Sequence, residues 1–88
     1  MKCTICSPLE KKTEDALTGI FVETVTGHRG ILKDHMPIVV ELRTGSYVRV
    51  KMNIGEVRYK IGASSFFKFS ENEGIVLTQT FQQEEQQY

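Results

Sequence analysis

Tyr47-Val48-Arg49-Val50-Lys51-Met52, then Asn53-Ile54-Gly55, then Glu56-Val57-Arg58-Tyr59-Lys60-Ile61: apolar and charged residues alternate here on both sides of a turn-forming segment. Such alternation marks a half-buried β-strand, because successive side chains leave a strand on opposite faces. Val48, Val50 and Met52 share one face of the first run, and Val57, Tyr59 and Ile61 share one face of the second. Turn residues between two such runs predict a hairpin. Parity then sets the register. Both apolar sets face one core only if Val50 stands opposite Val57 and Val48 opposite Tyr59, since a slip of one residue turns every side chain over. That register predicts an even-numbered loop such as Met52 to Gly55, and it places Arg49 directly opposite Arg58 on the outer face, with Lys51 opposite Glu56. Like charges so placed destabilise a strand pair. Either the guanidinium arms splay into water, or this face meets an acidic or carbonyl-rich protein surface.

Outward from the hairpin the punctuation repeats. Lys2–Ser7 stops at Pro8, and Ile20–Val25 is apolar on both sides, as in a well-buried strand. Ile38–Leu42 follows Pro37. Ser65–Phe69 carries Phe66, Phe67 and Phe69, and Ile75–Phe81 follows a Glu71-Asn72-Glu73-Gly74 turn. Short strands at such spacing predict an all-β sandwich or barrel. The whole of 1–81 reads as one such domain, with 82–88 a polar tail that has nothing apolar to bury before Tyr88. Eighty-eight residues allow one domain at most.

Composition removes several function classes. Lys plus Arg number 11 and Asp plus Glu number 11, so the formal net charge is zero. No long-range field draws the chain to nucleic acid or an anionic membrane. The N-terminus lacks a secretory h-region, no run nears the ~20 apolar residues of a membrane span, and the two cysteines read as reduced thiols. Cys3 and Cys6 have CxxC spacing, but within a strand, positions three apart face opposite sides, so the ordinary reading is two unpaired thiols with at least one buried.

The longest stretch outside the expected strands is Thr26–Pro37, twelve residues. Gly27 and Gly30 supply positive φ or close backbone approach, and Pro37 stiffens the exit. With Ile31 and Leu32 between them, the stretch reads as an ordered, partly self-packed loop displaying His28, Arg29, Lys33, Asp34 and His35. The two histidines lie seven apart, which matches no metal-ligand interval; the ordinary reading is loop histidines facing water or a partner. Phe66, Phe67 and Phe69 beside Arg49, Lys51, Arg58 and Lys60 suggest an OB-type nucleic-acid surface. Against it, Phe67 and Phe69 share a face at strand spacing, as core residues would, and no basic excess exists. Paired carboxylates, a Ser-His-Asp arrangement and a Walker-type loop are absent from the sequence.

Gly27-His28-Arg29-Gly30-Ile31-Leu32-Lys33-Asp34-His35-Met36-Pro37-Ile38, with Leu42-Arg43-Thr44-Gly45 and the Val48–Val50 strand, resembles the N-terminal β-domain of the F-type ATP synthase epsilon subunit. That family's pattern is Gly-Glu-x-Gly-Ile-x-Pro-Gly-His-x-Pro-Leu, a strand, then Lys-Pro-Gly. Gly30-Ile31, His35 and Pro37 match in order and spacing, and Val76-Leu77-Thr78-Gln79-Thr80 resembles the family's Val-Leu-Ala-Asp-Thr. Lys33-Asp34 departs from Pro-Gly, His28 stands where an acidic residue is common, and Ser64-Ser65 occupies the place of a Gly-Gly. The chain stops where the family continues into two helices, so the inhibitory and nucleotide-sensing behaviour of those helices is not carried over. The resemblance implies a flattened two-layer β-sandwich or barrel of about 8–10 short strands. It also implies a non-catalytic central-stalk subunit without a cofactor, bound to the gamma subunit and the c-ring on the cytoplasmic face of an energy-transducing membrane. The implied partner-binding residues are Gly27, His28, Arg29, Gly30, Ile31, Lys33, Asp34, His35 and Met36, to which the outer-face reading adds Arg49 and Arg58. The alternatives are a free-standing β-barrel module for nucleic acid or a small ligand and, more weakly, a minimal Cys-His enzyme.

Overall fold

The computed structural model describes residues 1–15 and 17–85. Ten strands follow in chain order: β1 (Lys2–Cys6), β2 (Lys11–Glu14), β3 (Leu17–Thr24), β4 (Gly27–Ile31), β5 (Ile38–Glu41), β6 (Tyr47–Met52), β7 (Glu56–Ile61), β8 (Phe66–Ser70), β9 (Glu73–Leu77) and β10 (Phe81–Glu85). They form two five-stranded sheets. Sheet 1 has the order β2-β1-β9-β8-β5 and sheet 2 the order β10-β7-β6-β3-β4. β1 and β9 pair in parallel, and every other pair is antiparallel. The result is the expected all-β two-layer sandwich, 33 × 28 × 24 Å.

The β6–β7 hairpin has the register that parity required. Val50 faces Val57, Val48 faces Tyr59, Arg49 faces Arg58 and Lys51 faces Glu56. The loop runs Met52 to Gly55, closed by the Met52 N–H donating to the Gly55 carbonyl at 3.1 Å. From this hairpin Val48, Val50, Tyr59 and Ile61 are buried between the sheets, joined by Ile20, Val22 and Ile31 from β3 and β4. Cys3, Ile5, Phe67, Phe69 and Val76 come from sheet 1. Each large side chain so buried contributes about 1.5–3 kcal/mol from surface removed from water. At the rim, the Tyr59 hydroxyl donates to Glu14 Oε1 at 2.6 Å and ties the sheets together.

Two expectations are corrected, and a third point is a strand that the sequence does not announce. Gly27–Pro37 is not one loop. Gly27–Ile31 is β4, paired with β3 from Ile20↔Ile31 to Thr24↔Gly27 across a two-residue turn at Val25-Thr26. Its composition hides it: two glycines and one buried apolar residue leave no alternation, and cross-strand pairing with the buried β3 supplies what side chains do not. The Thr24 hydroxyl secures the turn, donating to the Gly27 carbonyl at 2.7 Å and accepting from the Thr26 N–H at 3.2 Å. Ile31 therefore lies in the core, fully buried opposite Ile20, and leaves the set of partner-contacting residues.

The second correction is at the C-terminal end. Ile75–Phe81 is not one strand but two, β9 and β10, in different sheets, with Thr78–Thr80 crossing between them. β10 pairs with β7 from Phe81↔Ile61 to Glu85↔Val57, so regular structure runs four residues past the expected boundary at 81. The rest of the expected tail, 86–88, lies outside the described residues. The third is β2, whose Lys11-Lys12-Thr13-Glu14 has no apolar residue to announce it and pairs along the edge of β1.

Candidate docking surface

The protruding segment is the six residues Leu32–Pro37 between β4 and β5. A turn opens it: the His35 N–H donates to the Leu32 carbonyl at 3.1 Å, with Asp34 at φ +66° where a glycine is usual. Aspartate visits this region because a short polar side chain can bond locally, and here the partner is Asn72. The Asp34 N–H donates to Asn72 Oδ1 at 2.7 Å, and Asn72 Nδ2 donates to Asp34 Oδ1 at 3.0 Å. Asn72 and Glu71 form the two-residue β8–β9 turn, both at positive φ. The segment is thus clamped to a hairpin of sheet 1. The exchange of Pro-Gly for Lys33-Asp34 keeps the turn closed. His35 is half-buried, with Nδ1 2.7 Å from the Met36 carbonyl oxygen and its ring edge-on to Phe69. Leu32, Lys33, Asp34 and Met36 face outward.

Beside it lies the outer face of sheet 2. The Phe21 ring lies across the sheet on ground cleared by two glycines. A Cβ at Gly30 would stand 3.0 Å from Phe21 Cε1, and one at Gly19 would stand 2.9 Å from Cε2. Gly30 is therefore required for close approach, and Gly27, at φ +135°, for conformation. The facing arginines separate onto two rings: Arg49 sits 5.2 Å above the centre of Phe21 and Arg58 sits 5.2 Å above that of Tyr47. Arg49 also donates from Nη1 to Glu56 Oε1 at 3.4 Å. Glu23 accepts from the Tyr47 N–H at 3.2 Å and lies 3.7 Å from His28 Nδ1. Phe21, Glu23, His28, Gly30, Tyr47, Arg49 and Arg58, with Val22 and Arg29, wall a cavity of about 340 Å³.

The outer face of sheet 1 carries a surface that sequence reading missed. Pairing aligns Glu41, Phe66, Leu77 and Cys6 in one row and Val39, Lys68, Ile75 and Thr4 in the next. Phe66 is 46%, Leu77 54% and Val39 69% exposed. A solvated sheet face is normally polar, and a band of large apolar groups marks a contact surface. The signal was present in Phe66-Phe67-Lys68-Phe69, where Phe66 falls out of phase with the core pair, but only the register brings it beside Leu77.

The other candidate chemistry resolves locally. Cys3 is buried in the core and Cys6 lies on the opposite face of β1, both free. Burial, with the Glu14 carboxylate adding to it, pushes the Cys3 thiol up to about 12, so it holds almost no thiolate at neutral pH. In the place of the Gly-Gly, Ser64 takes φ +55°, and Ser65 is buried with its hydroxyl donating to the Gly62 carbonyl at 2.8 Å and lying 2.7 Å from Thr78 Oγ1. Among the described residues no three His, Cys, Asp or Glu side chains gather as metal ligands, and no helix is long and apolar enough to cross a membrane.

Comparison with known proteins places this architecture. The family model described as the ATP synthase delta/epsilon chain β-sandwich domain matches residues 1–84. The chain belongs to this family. The sodium-ion-specific ATP synthase epsilon chain of Propionigenium modestum is 28% identical over 76 residues, which is 86% of this chain and 54% of that one. A chain in the cryo-EM structure of the Euglena gracilis mitochondrial ATP synthase (OSCP/F1/c-ring, rotational state 1) superposes with a TM-score of 0.81 at 19% identity. The match covers 92% of this chain and 51% of that one. This delta/epsilon sandwich therefore spans about half the length of the relatives it matches.

Proposed function

We propose that this delta/epsilon-type chain is a non-catalytic epsilon subunit in the rotor of an F-type proton-translocating ATP synthase. In this reading it docks on the gamma subunit through the sandwich and meets the c-ring polar loops with the β3–β4 hairpin and the Leu32–Pro37 turn. It sits peripherally on the cytoplasmic face of the membrane and helps pass rotation between ion flow and ATP synthesis. It needs no cofactor of its own. The observation that carries the reading is the apolar band of Val39, Phe66 and Leu77, which gives the sandwich a face suited to burial against another protein. On the c-ring side the contact set is Gly27, His28, Arg29, Gly30, Lys33, Asp34, His35 and Met36, with Met36, 72% exposed, as the apolar anchor.

Co-expression with the gamma subunit tests it. Phe66→Asp is expected to weaken capture by gamma by about tenfold or more, the scale of a central interface residue, while leaving the far-UV spectrum unchanged. Met36→Asp should spare gamma and reduce retention on the c-ring. Wild-type affinity for gamma in Phe66→Asp, or tighter binding to an oligonucleotide than to gamma at physiological salt, would defeat the reading.

A further inference from the structure

The arginine pair on sheet 2 lies on the opposite face of the sandwich from the apolar band; the rotor reading gives the pair itself no partner, although the cavity it lines shares His28, Arg29 and Gly30 with the c-ring contact set. Its two members are differently placed. Arg49 has a carboxylate, Glu56 at 3.4 Å. Arg58 has none among the described residues, and its Nε, shielded from solvent, has no hydrogen-bond partner. A buried donor without an acceptor is destabilising, so an incoming acceptor would be favoured there. Glu84 stands opposite Arg58 in the β7–β10 register and forms no ion pair with it. The one carboxylate on the cavity wall, Glu23, is turned to the Tyr47 N–H and His28. The cavity therefore presents an aromatic floor at Phe21, an aromatic side at Tyr47 and a guanidinium short of an acceptor.

We propose that the Phe21–Tyr47–Arg49–Arg58 cavity is a docking cradle for an acidic segment of a partner protein, with a glutamate or aspartate carboxylate accepting from Arg58. Charge complementarity selects this occupant. A planar guanidinium held against a ring is pre-organised for carboxylate, and the rings flanking it can cover the aliphatic stem or an adjacent aromatic side chain. A phosphate backbone fits less well, because the chain as a whole carries no net positive charge and nucleic-acid affinity comes mostly from many phosphate contacts.

The test uses the 88-residue chain, isotope-labelled, titrated with a blocked pentapeptide bearing two glutamates around a phenylalanine, with its glutamine analogue, and with a thymidine decanucleotide. The expected result is saturable shifts centred on Phe21, Tyr47 and Arg58, with the glutamate peptide binding at least about tenfold tighter than the glutamine one. Arg58→Gln should remove that preference, Arg58→Lys should restore part of it, and Lys60→Gln on the same face should change affinity less than about twofold. Three results overturn the proposal: no saturable shift up to about 5 mM peptide, equal loss in Lys60→Gln, or the oligonucleotide binding as tightly at the same residues. The titration needs no rotor partner, so its failure leaves the rotor assignment standing, and failure of gamma capture leaves the cradle standing.

Discussion

At the scale of single residues, Asp34 and Asn72 matter most to the protruding turn. Asp34 accepts an αL conformation that glycine would adopt without strain, and the two bonds to Asn72 offset the cost. Asn72→Ala removes both bonds and is expected to cost about 1–2 kcal/mol in urea unfolding, with faster hydrogen exchange at the His35 amide that closes the turn. Asp34→Gly relieves the backbone while losing the side-chain bond, so its stability should stay within about 0.5 kcal/mol of wild type. Cys3 makes a second prediction. Its folded thiol titrates at about 12 against an ordinary 9.0, so the unfolded chain ionises first. The associated stability is complete below pH 9 and is lost as pH rises towards 12. The buried Tyr59 phenol, raised by desolvation and then by its bond to Glu14, acts in the same direction. Urea midpoints measured across that range should fall, and iodoacetamide at pH 8 should label Cys6 in the native protein while sparing Cys3.

At the scale of elements, how readable a strand is from sequence depends on what holds it. The β6–β7 hairpin could be placed to the residue, arginine pair included, because alternation and parity leave one register that buries Val48, Val50, Tyr59 and Ile61 together. Phe67 and Phe69, which share a face at strand spacing, lie in the core, and of the two cysteines, at least one expected to be buried, it is Cys3 that is. β2, β4 and β10 had no such signal. They are edge strands, where pairing to one neighbour suffices and polar side chains are favoured against aggregation. The Gly27–Met36 candidates divide accordingly: most remain on the surface, His35 is half-sunk against Phe69, and Ile31 is lost to the core. The apolar band of sheet 1 is legible only in part, since Phe66 falls out of phase with the core pair but its meeting with Val39 and Leu77 is a property of register between β5, β8 and β9. Two outcomes belong at this level. Removing residues 82–88 should lower stability by at least about 1 kcal/mol, or about 4–8 °C in Tm, since β7 loses its partner from Gln82 onward. Gly30→Val should lift the Phe21 ring off β4, costing about 1 kcal/mol in denaturation and, on the rotor reading proposed above, weakening c-ring association more than that.

At the scale of the whole molecule, the sandwich separates its surfaces. An apolar band faces out from one sheet, a cation–aromatic cavity faces out from the other, and the clamped turn stands at their junction. Phe67→Ala would strike what keeps them in fixed relation, for Phe67 is fully buried and its ring packs within about 3 Å of where a side chain on Gly74 would begin. The expected loss is about 3–5 kcal/mol, read as a collapse of the denaturation midpoint. The parallel β1–β9 ladder has a consequence in time as well as space. Residues 2–6 pair on one side with residues 11–14 but on the other with residues 73–77, so one edge of β1 stays open until β9 has been made. Sheet 1 can close only after Leu77 has emerged, and stalled nascent chains ending before that residue should remain as sensitive to protease as an unfolded polypeptide.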